Sequence, residues 1–137
     1  MKHWLLVAMS IGTGWLPGII RTSSGQLAQA QVVRIAEIEI DARLVDEYKA
    51  ALKEEIESSI AQEAGVLTLY AVSLKGHPER IRLLEVYRDE AAYKSHLQSS
   101  HFRKYKEQTA KMVKSLTLLE TDPILLGSKQ AAVAAER

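Results

Sequence analysis

The sequence predicts one α+β domain, in which four antiparallel strands form a single sheet and helices cover one face of it. Segments of β-branched or alternating apolar residues occur four times, and helical apolar spacing occurs between the first and second and between the third and fourth. The chain has 137 residues, of which 47% are apolar, and this suits one small core better than two.

The first half of the domain is predicted to contain a strand and a long amphipathic helix. Residues 31–40 (QVVRIAEIEI) end in alternating apolar and acidic positions, which is typical of a strand with one buried face. Asp41 then offers a helix cap, and apolar residues recur every four positions from Leu44 to Ile60. Gly65 follows the last turn, where we expect it to adopt the left-handed conformation that closes a helix.

The second half is predicted to contain three strands and a broken helix. Residues 66–75 and 81–87 form paired strands joined by a turn at Gly76–Glu79. Two short helices, separated by a break near Ser99, follow the third strand, and residues 115–121 form the fourth strand. This order is the split β-α-β arrangement of ferredoxin-like folds.

Helices on one face leave the other face of this sheet open. The second and third strands are too apolar for that face to be exposed to water. The simplest cover is the same face of a second copy. The sequence therefore predicts a homodimer through the open sheet face, arranged as a dimeric α/β barrel.

Residues 1–30 are predicted to form a cleavable signal peptide. The chain starts with a short basic segment, continues with a mostly apolar stretch and reaches a small-x-small motif at Ala28–Ala30. Cleavage between Ala30 and Gln31 predicts a periplasmic or secreted protein with no stable membrane insertion afterwards. The alternative is a retained N-terminal anchor, which Pro17 and the neighbouring glycines disfavour.

The predicted domain spans residues 31–126, and residues 127–137 form a small polar tail. Loss of Lys2 and Arg21 with the signal leaves 16 of the 18 basic residues against 17 acidic ones, a net charge of about −1. A near-neutral domain without a basic patch argues against nucleic acid as a partner. The chain has no cysteine, which excludes a thiolate nucleophile, a thiolate metal site and a lipid-anchored lipoprotein.

Three segments carry a resemblance to a known family. GVLTLYAV, IRLLEVYRDEAAYKSHLQSSHFRKY and SLTLLETDPI, in this element order, resemble the antibiotic biosynthesis monooxygenase (ABM) domain family, and within it the quinol monooxygenases. The resemblance covers roughly residues 32–126. It implies oxidation of a small hydroquinone or polyphenol by O₂ without a cofactor.

One branch of that family degrades haem and uses an Asn, a Trp and a His in its pocket. This chain has no Asn, and its only tryptophans, Trp4 and Trp15, lie in the predicted signal. The haem-degrading activity is therefore not expected.

Two histidines are the predicted catalytic residues. Oxygenation without a cofactor needs a base that converts the substrate to its electron-rich anion, and histidine suits this role at neutral pH. We predict His101 as the base and His96 as an orienting or second proton-transfer group. The alternative is structural: His96 joins the helices by a hydrogen bond, and His101 closes a helix start. The spacing of the histidines does not predict a metal site.

Five other residues are predicted to contact a small aromatic or enolic substrate: Tyr48, Tyr70, Tyr87, Glu85 and Arg34. For each tyrosine the alternative is a role in the core or at an interface. For Glu85 and Arg34 the alternative is a structural ion pair with each other.

Two other functions remain open at this stage. The fold could serve a non-catalytic dimer that binds a small molecule, or an isomerase of a small enolisable metabolite. An isomerase would use the same histidine and would turn over without oxygen.

Overall fold

The computed structural model describes residues 30–129, which form an open four-stranded antiparallel sheet with three helices on one face. The strands pair in the order β2-β3-β1-β4. They are β1 (Val32–Ile40), β2 (Val66–Leu74), β3 (His77–Tyr87) and β4 (Val113–Thr121). The helices are α1 (Val45–Gln62), α2 (Glu90–Gln98) and α3 (Ser100–Thr109).

This is the predicted ferredoxin-like α+β fold. The sheet is not closed within one chain, so the barrel with a second copy stays a prediction. The predicted signal peptide and most of the predicted tail lie outside the described residues. None of the described helices is long and apolar enough to span a membrane.

Helix α1 buries Tyr48 and Leu52 of the predicted stripe, but toward its end the buried positions shift away from that stripe. Asp41 caps a short 3-10 turn, Ala42–Leu44, by accepting a hydrogen bond from the Arg43 N–H, and α1 starts after it. Its buried residues follow steps of three and four: Val45, Tyr48, Leu52, Glu55 and Ser59. Strict steps of four drift around a helix with 3.6 residues per turn. Ile60, at the end of the predicted stripe, is therefore half exposed.

The hairpin between β2 and β3 is tighter than predicted. The predicted turn at Gly76–Glu79 is wrong, because β3 already begins at His77 and pairs with Leu74. Gly76 has a φ of 81°, which a glycine adopts without the penalty that a side chain would impose. Two residues thus make the whole connection.

Gly65 is required for close packing and not for a left-handed turn. Gly76 is the glycine with a positive φ among the described residues, so the predicted conformation of Gly65 is wrong. A Cβ placed on Gly65 would lie 2.4 Å from the Cβ of Ala92. Gly65 therefore allows α2 to pack directly on the chain between α1 and β2.

The main core lies between the sheet and helices α1 and α3. Tyr48, Ile40 and Ile81 are at its centre and are almost fully buried. A smaller cluster under α2 contains Tyr87 and Ala92. A cavity remains where these two clusters meet.

The opposite face of the sheet carries a row of apolar residues. The strand register places Tyr70, Leu84, Ile35 and Leu119 side by side across all four strands. The two at the sheet edges, Tyr70 and Leu119, are 61% and 41% exposed. This face is the one that the sequence predicts a second copy to cover.

Candidate functional site

A single residue produces the break between α2 and α3. The Ser99 N–H and hydroxyl both donate to the His96 carbonyl, at 3.0 and 2.8 Å, and end α2. The same hydroxyl accepts from the Phe102 N–H at 3.3 Å and begins α3. His96 and His101 consequently lie on either side of a sharp bend, and both side chains turn toward the end of α1.

The two histidines meet on a carboxylate that the sequence analysis did not select. Glu63, the residue that follows α1, lies with its Oε1 3.0 Å from His96 Nδ1 and 2.5 Å from His101 Nε2. Burial by itself would raise the pKa of Glu63, but hydrogen bonds from the two imidazoles lower that pKa below its ordinary value. Glu63 is therefore an ionised acceptor that ties the three helices together.

Glu63 also determines which nitrogen of His96 carries the proton. Because an ionised carboxylate can only accept, Nδ1 of His96 must donate its hydrogen to it. The lone pair of the neutral ring then lies on Nε2. His96 Nε2 faces the other way, 3.7 Å from Oε1 of the buried Glu55.

Next to His96 lies a cavity of about 90 Å³ between the sheet and the helices. Its floor is apolar side chains of the sheet, and the exposed Leu116 and Leu118 of the edge strand β4 are at its rim. Its polar and aromatic wall consists of Arg34, Glu55, Glu85, Tyr87, Tyr93, His96, Phe102, Tyr105 and the exposed Lys106. The cavity is thus an apolar space with two carboxyl groups, two cationic side chains and one imidazole at its wall.

Burial perturbs the two carboxyl groups in this wall. Desolvation raises the pKa of Glu55 against the opposing hydrogen bond from Ser59, whose hydroxyl donates at 2.7 Å. Desolvation also raises the pKa of Glu85, which accepts from the Tyr87 hydroxyl at 3.0 Å. The pKa of Tyr87 is raised as well, by burial and by the adjacent Glu85 carboxylate. Displaced pKa values of this kind are common in functional sites.

Arg34 does not form the ion pair that the sequence analysis offered as its structural role. It lies opposite Glu85 in the strand register, but its guanidinium binds Glu120 at 3.0 Å and stacks over the Tyr93 ring at 4.0 Å. Its buried Nε has no hydrogen-bond partner among the described residues. Arg34 therefore lines the cavity as a residue and has a buried donor without a partner.

A much larger recess lies on the other side of α1. This groove, of about 710 Å³, runs between α1 and the edge strand β2 and includes Leu52, Leu69, Tyr70 and Val72. It is wide and mostly apolar, and Lys49, Lys53 and Glu57 supply its charges. Since no imidazole lines it, we place the candidate site at the smaller cavity.

The structure brings together some of the predicted site residues and separates others. Arg34, Glu85, Tyr87 and His96 line the cavity. Tyr70 is exposed at the groove, and Tyr48 is buried in the core with its hydroxyl 2.5 Å from that of Tyr105. His101 lies behind Glu63 and does not reach the cavity.

Sequence reasoning missed Glu55, Glu63 and Tyr93 at this site. Glu55 could have been found from the three- and four-residue steps of α1, because it occupies a buried position among apolar ones. Glu63 carries no such signal, since it lies 33 residues before His96 and 38 before His101.

Comparison with known proteins identifies the class. The model of the family "antibiotic biosynthesis monooxygenase" matches residues 31–108. The chain belongs to this family, as the sequence resemblance predicted. Among curated proteins, none matches it.

Solved structures support the same assignment. A Bacteroides thetaiotaomicron protein with the provisional name of antibiotic biosynthesis monooxygenase is 50% identical, with a TM-score of 0.70 over 72% of this chain and 94% of that one. A similarly named monooxygenase of Lactobacillus acidophilus is 28% identical, with a TM-score of 0.63 over 66% of this chain and 45% of that one. A Caulobacter crescentus protein at 16% identity and a TM-score of 0.67, over 72% of this chain and 93% of that one, shares the fold.

Proposed function

We propose that this protein is a monooxygenase that oxidises a small hydroquinone or polyphenol with O₂ and without a cofactor, in the cavity beside His96. One observation carries the proposal: Glu63 holds His96 by Nδ1, and Nε2 is left as a base beside a largely apolar cavity. A carboxylate that fixes the tautomer of an imidazole is a recurrent way to prepare a general base.

His96 replaces His101 as the base in this proposal. His101 was the sequence-based preference, but Glu63 separates it from the cavity. Its Nε2–H donates to the same carboxylate oxygen that binds His96. His101 is therefore a positioning residue that acts through Glu63.

The reaction balances without any external reductant. His96 Nε2 takes a hydroxyl proton from a hydroquinone, and the resulting anion gives electrons to O₂ at a ring carbon. The carbon–oxygen bond forms, and the distal oxygen of the resulting peroxide takes the proton that Nε2 returns. The attacked ring carbon then loses its hydrogen as a proton, the oxygen–oxygen bond breaks, and the distal oxygen leaves with both protons as water. Hydroquinone and O₂ thus give hydroxyquinone and water, and the ring supplies all four electrons.

Other features of the cavity are suited to the substrate anion, and the volume of the cavity limits the size of the substrate. The unpartnered Nε–H of Arg34 can donate to a phenolate oxygen, which would offset the cost of burying a negative charge. An engineered cavity of about 150 Å³ holds benzene, so a space of about 90 Å³ admits a single ring only if the rim opens. Leu116 and Leu118 are the exposed side chains that would have to move.

The proposal includes a homodimer and an exported location. The apolar row Tyr70, Leu84, Ile35 and Leu119 supports association through the open sheet face, because its edge members would otherwise stay exposed. The signal-like residues 1–30 support export to the periplasm or beyond the cell. Sedimentation of the mature chain tests the first point, and fractionation of expressing cells tests the second.

Oxygen uptake on a panel of single-ring hydroquinones tests the activity. We expect uptake of one O₂ per hydroquinone with formation of the hydroxyquinone. His96→Gln should lower kcat by about 100-fold or more, the usual contribution of a general base. His77→Gln, at an exposed histidine far from the cavity, is the matched control.

Three results would reject the proposal. Full activity in folded His96→Gln would reject the base. Turnover of an enolisable substrate without oxygen would instead support the isomerase. Ligand binding without turnover on any phenol or enol would support a non-catalytic binding protein.

A further inference from the structure

Glu63, His96 and His101 form a compact group of potential metal ligands where three helix ends meet. Glu63 follows α1, His96 lies in the last turn of α2, and His101 lies in the first turn of α3. One ligand atom from each lies within 4.8 Å of the other two. His96 contributes Nδ1 to this group, whereas its Nε2 faces Glu55 at the cavity wall. The group therefore lies on the side of the His96 ring that faces away from the cavity.

The spacing of these atoms is close to that of a metal shell. Ligand atoms at 2.0–2.2 Å from a tetrahedral ion lie roughly 3.3 Å apart. Glu63 Oε1 is at 3.0 Å from one nitrogen and 2.5 Å from the other, so an ion requires the carboxylate to withdraw by less than about 1 Å. The two nitrogens lie within 4.8 Å of each other and must adopt a similar spacing. Glu63 can do so, because it lies just beyond the last helical turn with an extended backbone.

The surroundings of the group fit an ion in two further respects. The side chains of Glu63 and His101 are 14% and 13% exposed, which leaves an entry path and room for a water as the fourth ligand. Behind His96, its Nε2 faces the Glu55 carboxylate at 3.7 Å, and Ser59 in turn holds that carboxylate. A carboxylate behind a ligating histidine is the usual support of such sites.

We propose that Glu63, His96 Nδ1 and His101 Nε2 bind one divalent transition-metal ion of the Zn²⁺ class. Two imidazoles and one carboxylate suit Zn²⁺, Co²⁺ and related ions, whereas Mg²⁺ and Ca²⁺ prefer oxygen ligands. The ion would lie outside the cavity and would not touch the substrate.

Binding of this ion has a consequence that rests on the proposed function. An ion on Nδ1 takes the lone pair of that nitrogen, so the ring proton must lie on Nε2. His96 then has no free lone pair toward the cavity. The metal ion therefore inhibits the proposed monooxygenase by removing its base.

Direct binding to the whole chain, after treatment with a chelator, tests the site without reference to activity. We expect Zn²⁺ titration by calorimetry to show one ion bound at this site per chain, and Co²⁺ to give the visible spectrum of a four-coordinate N/O site. Glu63→Gln and His101→Ala should each weaken Zn²⁺ binding by more than about 100-fold, and Glu55→Gln by about 10- to 100-fold. His77→Ala removes an exposed histidine beside Glu79 and should leave the affinity unchanged.

Circular dichroism of each variant tests whether it is still folded, so that loss of Zn²⁺ binding is not mistaken for loss of folding. Absence of Zn²⁺ binding by the folded wild-type chain, or binding that survives both Glu63→Gln and His101→Ala, would overturn the site. Mg²⁺ competing as well as Zn²⁺ would overturn the assignment of the ion.

Inhibition is measured separately, so that the two proposals can fail independently. One equivalent of Zn²⁺ should abolish oxygen uptake by the wild type and by His77→Ala, and any activity left in His101→Ala should be insensitive to Zn²⁺. Stoichiometric binding without inhibition would keep the metal site and overturn its effect on His96. Binding by a chain that never consumes oxygen would keep the site and reject the proposed function.

Discussion

The two recesses beside helix α1 differ in nearly every property that bears on chemistry. The groove against β2 has a volume of about 710 Å³ and an open, mostly apolar surface. The cavity under α2 and α3 has about 90 Å³, but its wall contains the buried Glu55 and His96, the partly buried Glu85, and two cationic side chains, Arg34 and Lys106. Size and chemical capacity thus point to opposite sides of the same helix.

The groove results from the arrangement of α1 and the edge strand β2, whereas the cavity results from the kinds of residue that lie between the two core clusters. The groove lies between α1 and β2, where β2 is the edge strand and the sheet ends. The cavity exists where charged and aromatic residues replace aliphatic ones between two core clusters. Buried charged groups are costly, so their presence is the stronger sign of function.

Filling each recess gives the sharpest test of this contrast. Leu118→Trp at the rim of the cavity should lower kcat/KM for a hydroquinone by about 100-fold, close to 2.7 kcal/mol, because the ring closes the entrance. Ala71→Leu in the groove should leave kcat/KM unchanged. Steady-state oxygen uptake measures both. The reverse pattern would place the substrate in the groove.

Gly65→Ala should destabilise the protein by about 2 kcal/mol, because its Cβ would overlap Ala92 and push α2 away. Urea unfolding measures the change in the free energy of unfolding. Ala92→Gly in the same chain should recover most of the loss. Gly127→Ala is the control, because a Cβ there meets no atom within 4 Å. Equal effects of Gly65→Ala and Gly127→Ala would contradict the packing argument.

The hydroxyl groups of Tyr48 and Tyr105 contact each other in the main core, and Tyr105 also lines the cavity. Tyr48→Phe should cost about 1 kcal/mol, because it leaves the Tyr105 hydroxyl without its buried partner. The double variant with Tyr105→Phe should be less destabilised than the single ones, since no buried hydroxyl then lacks a partner. Thermal unfolding gives the comparison, and additive losses would argue against coupling of the two hydroxyls.

Glu85→Gln should have the smallest of these effects. It should raise the free energy of unfolding at neutral pH, and this gain should disappear at pH 4. Burial raises the pKa of Glu85 in the fold above its unfolded value, despite the Tyr87 hydrogen bond and the nearby Arg34 and His96. Between the unfolded pKa and the raised folded pKa of Glu85, the unfolded chain therefore binds fewer protons than the folded chain, and the free energy of unfolding falls as the pH rises. Above this range the folded chain must hold Glu85 in its charged form, which the Glu55 charge also opposes.

Glu57→Gln is the matched control for Glu85→Gln, because it changes an exposed carboxylate of the groove. Urea unfolding at both pH values measures the two variants. A gain for Glu85→Gln that is equal at pH 4 and pH 7 would contradict the assignment to ionisation.

The sequence was sufficient for the fold but not for the centre of the site. Since burial of one face forces those periods, period-2 and helical spacing predicted the four strands and the three α-helices of residues 30–129. The 3-10 turn Ala42–Leu44 was not predicted. The errors had two causes. The conformation of Gly65 depends on the close approach of Ala92, which is distant in sequence, whereas Ile60 is exposed because steps of four residues drift around the helix.

The same limit explains why the proposed base changes from His101 to His96. The helix break between the two histidines was predicted and is present, but which of them lies beside the cavity depends on Glu63. Nothing in the spacing of His96 and His101 indicates which of them turns its free nitrogen to the sheet. Similarly, Arg34 and Glu85 are opposite each other in register, yet the edge strand supplies Glu120 as the partner.

The central position of β1 has a consequence for the order of folding. β1 pairs with β3 and with β4, so the first strand to be synthesised must wait for residues 80–87 and then for 113–121. The β2–β3 hairpin, by contrast, closes over two residues and can form early. We therefore expect the nascent chain to remain unfolded at β1 until nearly all of the domain has been made.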